Sequence, residues 1–258
     1  MQSNLKRMNN NDLKVINGDV IKYIAIIPML LGHTISSLVE HDILESNTFL
    51  IVLQALAIFA PPIFFFSITE GYKYTRSKKK YALRLLIFAI ITQIPFALNS
   101  FGTLFTVEAI LNLNIFFTLL AGLISIIVWE SKYPAVARII GIIIIDGLTV
   151  LFGSEWMIFG VPIILGLHIF SEKPRVRFIW FAMCILLSQY ICWGMNLYTF
   201  ISPGFISGTI AAIISYLFIT TFYNGQRGKH PVFSKWFFYI VYPLHYVLIY
   251  LIVIMITA

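Results

Sequence analysis

From residue 21 to the end, the chain alternates long apolar runs with short polar ones. A helix that crosses a bilayer core about 30 Å thick needs about 20 mostly apolar residues. The pattern predicts nine such helices, at about 21–39, 48–69, 83–98, 113–129, 138–152, 156–170, 178–194, 204–222 and 236–257. The expected fold is therefore all-α, a polytopic transmembrane bundle. The fifth and sixth runs are the shortest, and they fit a helical hairpin or a partly re-entrant pair. Residues 1–20 read as a polar tail and 21–258 as one transmembrane domain. No cleavable signal pattern is expected, since the start is polar and no small-residue cleavage site follows the first helix.

Composition agrees. Hydrophobic residues make up 59% of the chain and charged residues 11%, against about 45–50% and about 25% in soluble domains. Aromatic residues, at 16%, suit anchoring at membrane interfaces. The net charge of +7 is not read as a nucleic-acid signal, because of where the charges fall. Lys6, Arg7 and Lys14 precede the first span, and a basic run from Lys73 to Arg84 follows the second. Lys132 and Arg138 follow the fourth, Lys173, Arg175 and Arg177 the sixth, and Arg227, Lys229 and Lys235 the eighth. With nine alternating spans all of these share one side. The opposite loops carry Glu40, Asp42, Glu45, Glu108 and Glu155 without Lys or Arg. The positive-inside rule then puts the N-terminus in the cytoplasm and the C-terminus outside. Cys184 and Cys192 fall on one predicted helix, too far apart for a disulfide.

Polar residues at membrane depth are either paired or functional. His33 lies eleven residues beyond Lys22, which is three helical turns plus about 20° and a rise of about 16 Å. Both side chains thus share one face, and the pair fits a cavity running inward from the cytoplasm. It equally fits a lysine snorkelling to headgroups and a histidine bonded to a neighbouring helix. His245 lies at similar depth on the last span, just after Pro243, with Tyr239, Tyr242 and Tyr246 nearby. Two histidines on the first and last spans suggest a shared polar cavity. Pro61-Pro62 should kink the second span. Glu70 ends that span beside the basic loop, where it is expected to pair with Lys73 or Arg84. Asp146, inside the fifth span, requires a partner or a raised pKa. Gln93, Asn99, Asn112 and Asn114 lie near the outer ends of the third and fourth spans, and helix capping is the favoured role for Asn99.

Other chemistries find no support. No two histidines lie at i, i+4, and no Cys/His cluster has metal-ligand spacing, so no metal is expected. Ser36 and Ser37 lack a serine–histidine–acid order, and there is no phosphate-binding P-loop.

Several stretches resemble the TraX family of integral membrane proteins. They are "VIKYIAIIPMLLGHTISSLV" at the first helix, "ITEGYKYTRSKKKYALRLLIFAIITQIPFAL" across the second and third spans, "LNIFFTLLAGLISI" in the fourth, "SEWMIFGVPIIL" later on, and "YNGQRGKHPVFSKWFFYIVYPLHYVLIYLI" at the end. Two positions depart from the family. Gly32 stands where the family usually has Asp before the first-helix histidine, and Glu155 stands where Asp is expected.

The resemblance implies a bacterial plasma-membrane acyltransferase, since the family's namesake is similar to a pilin N-terminal acetylase. The Lys22-x10-His33 spacing also resembles the basic-x10-His pattern of transmembrane acyltransferases that use cytoplasmic acyl-CoA. On this reading acetyl-CoA is the donor, and a peptide, pilin, glycan or lipid supplies the amine or hydroxyl. His33 serves as general base, a role neutral imidazole suits near pH 7, with His245 as a second catalytic candidate. A tyrosine hydroxyl, His245 or an amide freed near Pro61-Pro62 could stabilise the oxyanion. Lys22, Arg76, Lys80 and Arg84, with Glu70 beside them, form the donor-binding candidates, because phosphates need cations. Asp146, Asn114 and Tyr242 complete the polar set. The rival readings are a proton-coupled transporter and a non-catalytic pilus or peptide assembly factor.

Overall fold

The computed structural model describes residues 13–257; Lys6 and Arg7 of the basic tail lie outside them. In chain order the helices are α1 (Gly18–Glu40), α2 (Thr48–Ala55), α3 (Ala60–Tyr74), α4 (Lys78–Phe101), α5 (Val107–Leu111), α6 (Ile115–Trp129), α7 (Ala135–Leu151), α8 (Met157–Ile169), α9 (Pro174–Cys192), α10 (Pro203–Phe222) and α11 (Pro231–Thr257). The described residues contain no β-strand, only an isolated bridge between Ile16 and Tyr223. The chain is all-α, as its apolar pattern requires.

Helix starts follow local chemistry. The Asn17 side chain accepts from the Asp19 and Val20 amides, so α1 begins at Gly18 rather than 21. Ser77 accepts from the Lys80 amide and starts α4. The Pro61-Pro62 pair sits in the first turn of α3, where missing amides cost least. A 3-10 turn, Leu56–Phe59, joins α2 to α3 and absorbs the expected kink.

Seven helical segments are long and apolar enough to cross a membrane. Two of them are composite: Thr48–Tyr74 joins α2 to α3, and Val107–Trp129 joins α5 to α6 across a break at Asn112–Asn114. The predicted fifth and sixth spans are shorter. At 17 and 13 residues, α7 and α8 rise about 26 Å and about 20 Å. They form a hairpin packed on α6. Its tip is tied to the start of α6, where the Ser154 and Thr118 hydroxyls lie 2.6 Å apart and Thr118 also bonds the Glu155 carbonyl. The nine predicted runs thus appear as seven long segments and, for the short fifth and sixth, the expected hairpin, with a sunken tip. Close packing permits this arrangement. A Cβ on Gly122 would fall 2.3 Å from an Ile164 methyl, and one on Gly160 2.2 Å from a Thr118 methyl, so α6 and α8 need small residues to approach.

The basic loops converge on one end of the bundle. Ile16 N–H donates to Phe222 O and Gly18 N–H to Gln226 O, each at 2.9 Å. Arg227 donates to Tyr74 O at 2.7 Å. Glu130, after α6, pairs with His168 at the end of α8. Side chains such as Phe65, Leu123, Ile126, Ile163 and Phe181 fill the interior, while Ile90, Ile139 and Ile143 face outward, as bilayer contact requires.

Candidate functional site

A cavity of about 750 Å³ penetrates the bundle, within the roughly 300–1,000 Å³ usual for small-molecule sites. It is bounded by α1, the α2–α3 segment, α4, the start of α6, the hairpin tip and α11. Both Lys22 and His33 line it, as their shared helix face predicts. Lys22 does not reach for headgroups. Its ammonium lies 3.1 Å from the Asp19 carboxylate and 4.6 Å from the centre of the Phe238 ring.

His33 and His245 meet directly, with Nδ1 of His33 2.8 Å from Nε2 of His245. His245 is buried behind His33 and does not line the cavity; its own Nδ1 has no hydrogen-bond partner among the described residues. The Tyr246 ring stacks on His33, centroids 5.2 Å apart. Pro243 lies one turn earlier in α11. The two histidines therefore form a pair in which one ring is accessible and the other braces it.

Beyond the histidines the cavity reaches Glu155. The strongly buried Tyr242 donates its hydroxyl to Glu155 Oε2 at 3.2 Å, and the Ile115 amide donates to the same oxygen at 2.6 Å. That amide begins α6, so the carboxylate meets the positive end of a helix. The two residues after Glu155, Trp156 (φ 67) and Met157 (φ 21), have the left-handed backbone that non-glycine residues rarely adopt. Strain of this kind tends to gather at functional sites. Side chains from α4 and α6 hold the break before α6. Gln93 Nε2 donates to the Ala109 and Asn112 carbonyls, and its Oε1 accepts from the Asn114 amide and side chain. Asn114 also donates to Ala89 O, and its Oδ1 caps α6 at Phe116. Interrupted helices are tolerated at membrane depth only under such conditions.

At the opposite end, Lys22, Arg76 and Arg84 line the cavity mouth as expected, joined by Arg227 and Lys235. Glu70 also lines it, but its partner is the Tyr223 hydroxyl, at 2.7 Å, rather than Lys73 or Arg84. Burial and the Glu70 carboxylate raise the Tyr223 hydroxyl above its ordinary pKa, so this is a phenol–carboxylate bond.

Two expected placements differ, those of Lys80 and Asn99, while Asp146 lies inside the fifth run as expected but away from the cavity. Lys80 is exposed and outside the cavity, because Tyr81, Arg84 and Leu85 carry the cavity face of α4 and Lys80 lies about a quarter turn away. Asp146 sits on the outlying helix α7; Thr149 bonds its backbone carbonyl, and its Oδ1 has no partner among the described residues. Asn99 does not cap a helix, since α4 runs on to Phe101 and Asn99 accepts instead from the Ser37 hydroxyl at 3.0 Å. Gly32 faces away from the cavity, and a Cβ there would lie 2.3 Å from that of Ala57. Sequence reasoning missed Glu155, Arg227 and Lys235 as cavity residues. The brevity of the predicted fifth and sixth spans was the available signal for Glu155, since a short hairpin cannot carry its tip to the far surface.

Fold and site together define a multi-pass α-helical membrane protein with an internal cavity, cationic at its mouth and holding a histidine pair and a carboxylate within. The model of the family described as TraX protein matches residues 17–253, and the chain belongs to that family. No curated protein and no solved structure matches it.

Proposed function

We propose that this protein is an acyltransferase of the bacterial plasma membrane, moving an acyl group, acetyl first of all, from cytoplasmic acyl-CoA to an acceptor within the cavity. The observation that carries this reading is the single void joining the Lys22 mouth to His33. The donor's phosphates suit the cationic mouth, and its thioester arm suits the passage of about 16 Å along α1. His245 holds Nδ1 of His33 and leaves Nε2 for chemistry. His33 takes the acceptor's N–H or O–H proton as the new bond to the thioester carbon forms. It returns that proton to the thiolate when the carbon–sulfur bond breaks. His245 is then a positioning residue. With Tyr242 committed to Glu155 and His245 to His33, neither stands free as oxyanion donor. Glu155 at the inner end suits an amine acceptor that arrives as the free, nucleophilic base and donates an N–H to the carboxyl group. The family points to a pilin or other peptide as the source of that amine.

The test is transfer of labelled acetyl from acetyl-CoA into membrane extract by purified protein, with His33→Ala as control and folding checked by gel filtration. Loss of labelling by at least about a hundredfold is expected, in line with removal of a general base. Full transfer by His33→Ala would remove the base assignment. Absence of transfer by the unaltered protein, together with proton flux in liposomes, would favour a transporter.

A further inference from the structure

Between Thr48 and Ser67 the second membrane segment carries a single polar side chain, Gln54. It lines the cavity, and its carboxamide makes no hydrogen bond among the described residues. A polar group at membrane depth is costly unless it is paired or serves a site. The helix offers Gln54 no local remedy. A helical serine can return its hydroxyl to the carbonyl one turn back, as Ser67 does to Ile63 O at 2.7 Å. A carboxamide, with two N–H donors and an acceptor oxygen, has no such recourse.

Close packing fixes the depth of Gln54. A Cβ on Gly32, the residue before His33, would fall 3.1 Å from the Gln54 carbonyl oxygen and 2.3 Å from the Ala57 Cβ. The α2 backbone therefore passes α1 at the level of the histidine, and Gln54 and His33 enter one void from two helices. Lys22 lies about 16 Å away along α1, too far to act on charge that develops at His33. Pro61 and Pro62 supply no amide hydrogen, and the Ala60 amide donates to Ala57 O. Two other uncommitted donors line the cavity: Ser36, one turn beyond His33 on the same face of α1, and the Trp156 indole beside Glu155.

We infer that Gln54 is a catalytic residue, the hydrogen-bond donor to the oxyanion of the transfer step. The inference rests on the acyltransferase reading. As the acceptor's nitrogen or oxygen bonds to the thioester carbon and its proton passes to His33, the carbonyl π pair moves onto oxygen. A Gln54 N–H donates to that oxygen. The pair then re-forms the C=O as the carbon–sulfur bond breaks, and the thiolate leaves with the proton from His33. Base and oxyanion donor address different substituents of the tetrahedral carbon. Helices α1 and α2 supply one each, whereas Ser36 stands on the side of the base. A neutral amide dipole held in a water-poor site stabilises developing charge without reorganising as the reaction proceeds.

Gln54→Met keeps an unbranched side chain of similar length and removes the N–H donor. In the purified full-length protein, with folding checked by gel filtration, it should lower kcat for acetyl transfer into membrane extract roughly hundredfold, as loss of one oxyanion donor does, and leave KM for acetyl-CoA unchanged. Dithioacetyl-CoA, in which C=S replaces the reacting C=O, separates this role from a structural one. Sulfur accepts hydrogen bonds weakly, so with that acyl donor the gap between the unaltered protein and Gln54→Met should close. Gln54→Leu, which also lacks the N–H, carries the same comparison if Gln54→Met does not fold. Equal kcat with acetyl-CoA in the unaltered protein and the variant overturns the inference. So does a raised KM with kcat kept, or an equal loss with dithioacetyl-CoA. A loss confined to Ser36→Ala or Trp156→Phe also overturns it, by placing the oxyanion donor on α1 or the hairpin. No transfer by the unaltered protein removes the acyltransferase reading and this inference with it, whereas transfer indifferent to Gln54 leaves that reading standing and removes the inference alone.

Discussion

At position 32 the absence of one carbon atom sets the distance between the first two membrane segments. Gly32 lies against Ala57 and the Gln54 carbonyl, and no side chain fits there without displacing backbone. An acid at this position would press into the α1–α2 contact and would not reach the cavity. We therefore expect Gly32→Asp to lower stability rather than raise activity, with overpacking alone costing about 1–3 kcal/mol and a buried carboxylate adding to it. Thermal unfolding in detergent would show it; an active Gly32→Asp protein melting at the original temperature would contradict the packing. Residue identity and residue role part company elsewhere too. Asp146 is an acid within an apolar run and touches no part of the cavity, whereas Glu155 passes for an ordinary loop acid and lies at the cavity's inner end.

Among the elements, the break between α5 and α6 is the most exacting. It exposes backbone groups where water cannot satisfy them, and Gln93 from α4 answers four of the resulting polar contacts. Gln93→Leu keeps the volume and removes these partners. Each orphaned buried group costs about 1–3 kcal/mol, so a drop of several degrees in Tm is expected, with loss of the Glu155 position as a consequence. A Gln93→Leu protein as stable as the parent would show that the break is held by other means. The hairpin of α7 and α8 is the complement of that break. Its tip turns back through two left-handed residues, and Glu155 reaches the exposed amide of Ile115. The helices themselves could be read from hydrophobic runs, because burial in lipid leaves a local and continuous signature. The interruption could not, because its stability comes from a glutamine about twenty positions earlier and a glutamate forty positions later.

For the molecule as a whole, the charge pattern predicts an orientation that labelling can check. In a Cys192→Ser background, Cys184 being buried, Ser171→Cys lies at the basic end and Ser46→Cys at the acidic end, both exposed. An impermeant maleimide added to intact cells should label Ser46→Cys and spare Ser171→Cys. The reverse pattern would turn the cavity mouth away from cytoplasmic acyl-CoA and remove the proposed donor.

Hydrophobic periodicity by itself determined that the chain crosses the membrane repeatedly as helices, roughly where each begins, and that its basic loops share a side. It also put Lys22 and His33 on one face, since helical geometry carries that information over eleven residues. These are local properties, fixed by what the backbone must do in a solvent without hydrogen bonds. Tertiary structure alone decided that His33 meets His245 from the far end of the chain, that Glu155 reaches inward, and that Arg227 and Lys235 join the mouth. Those pairings depend on which helices pack together, and a polar residue's partner in space leaves no trace in the spacing around it.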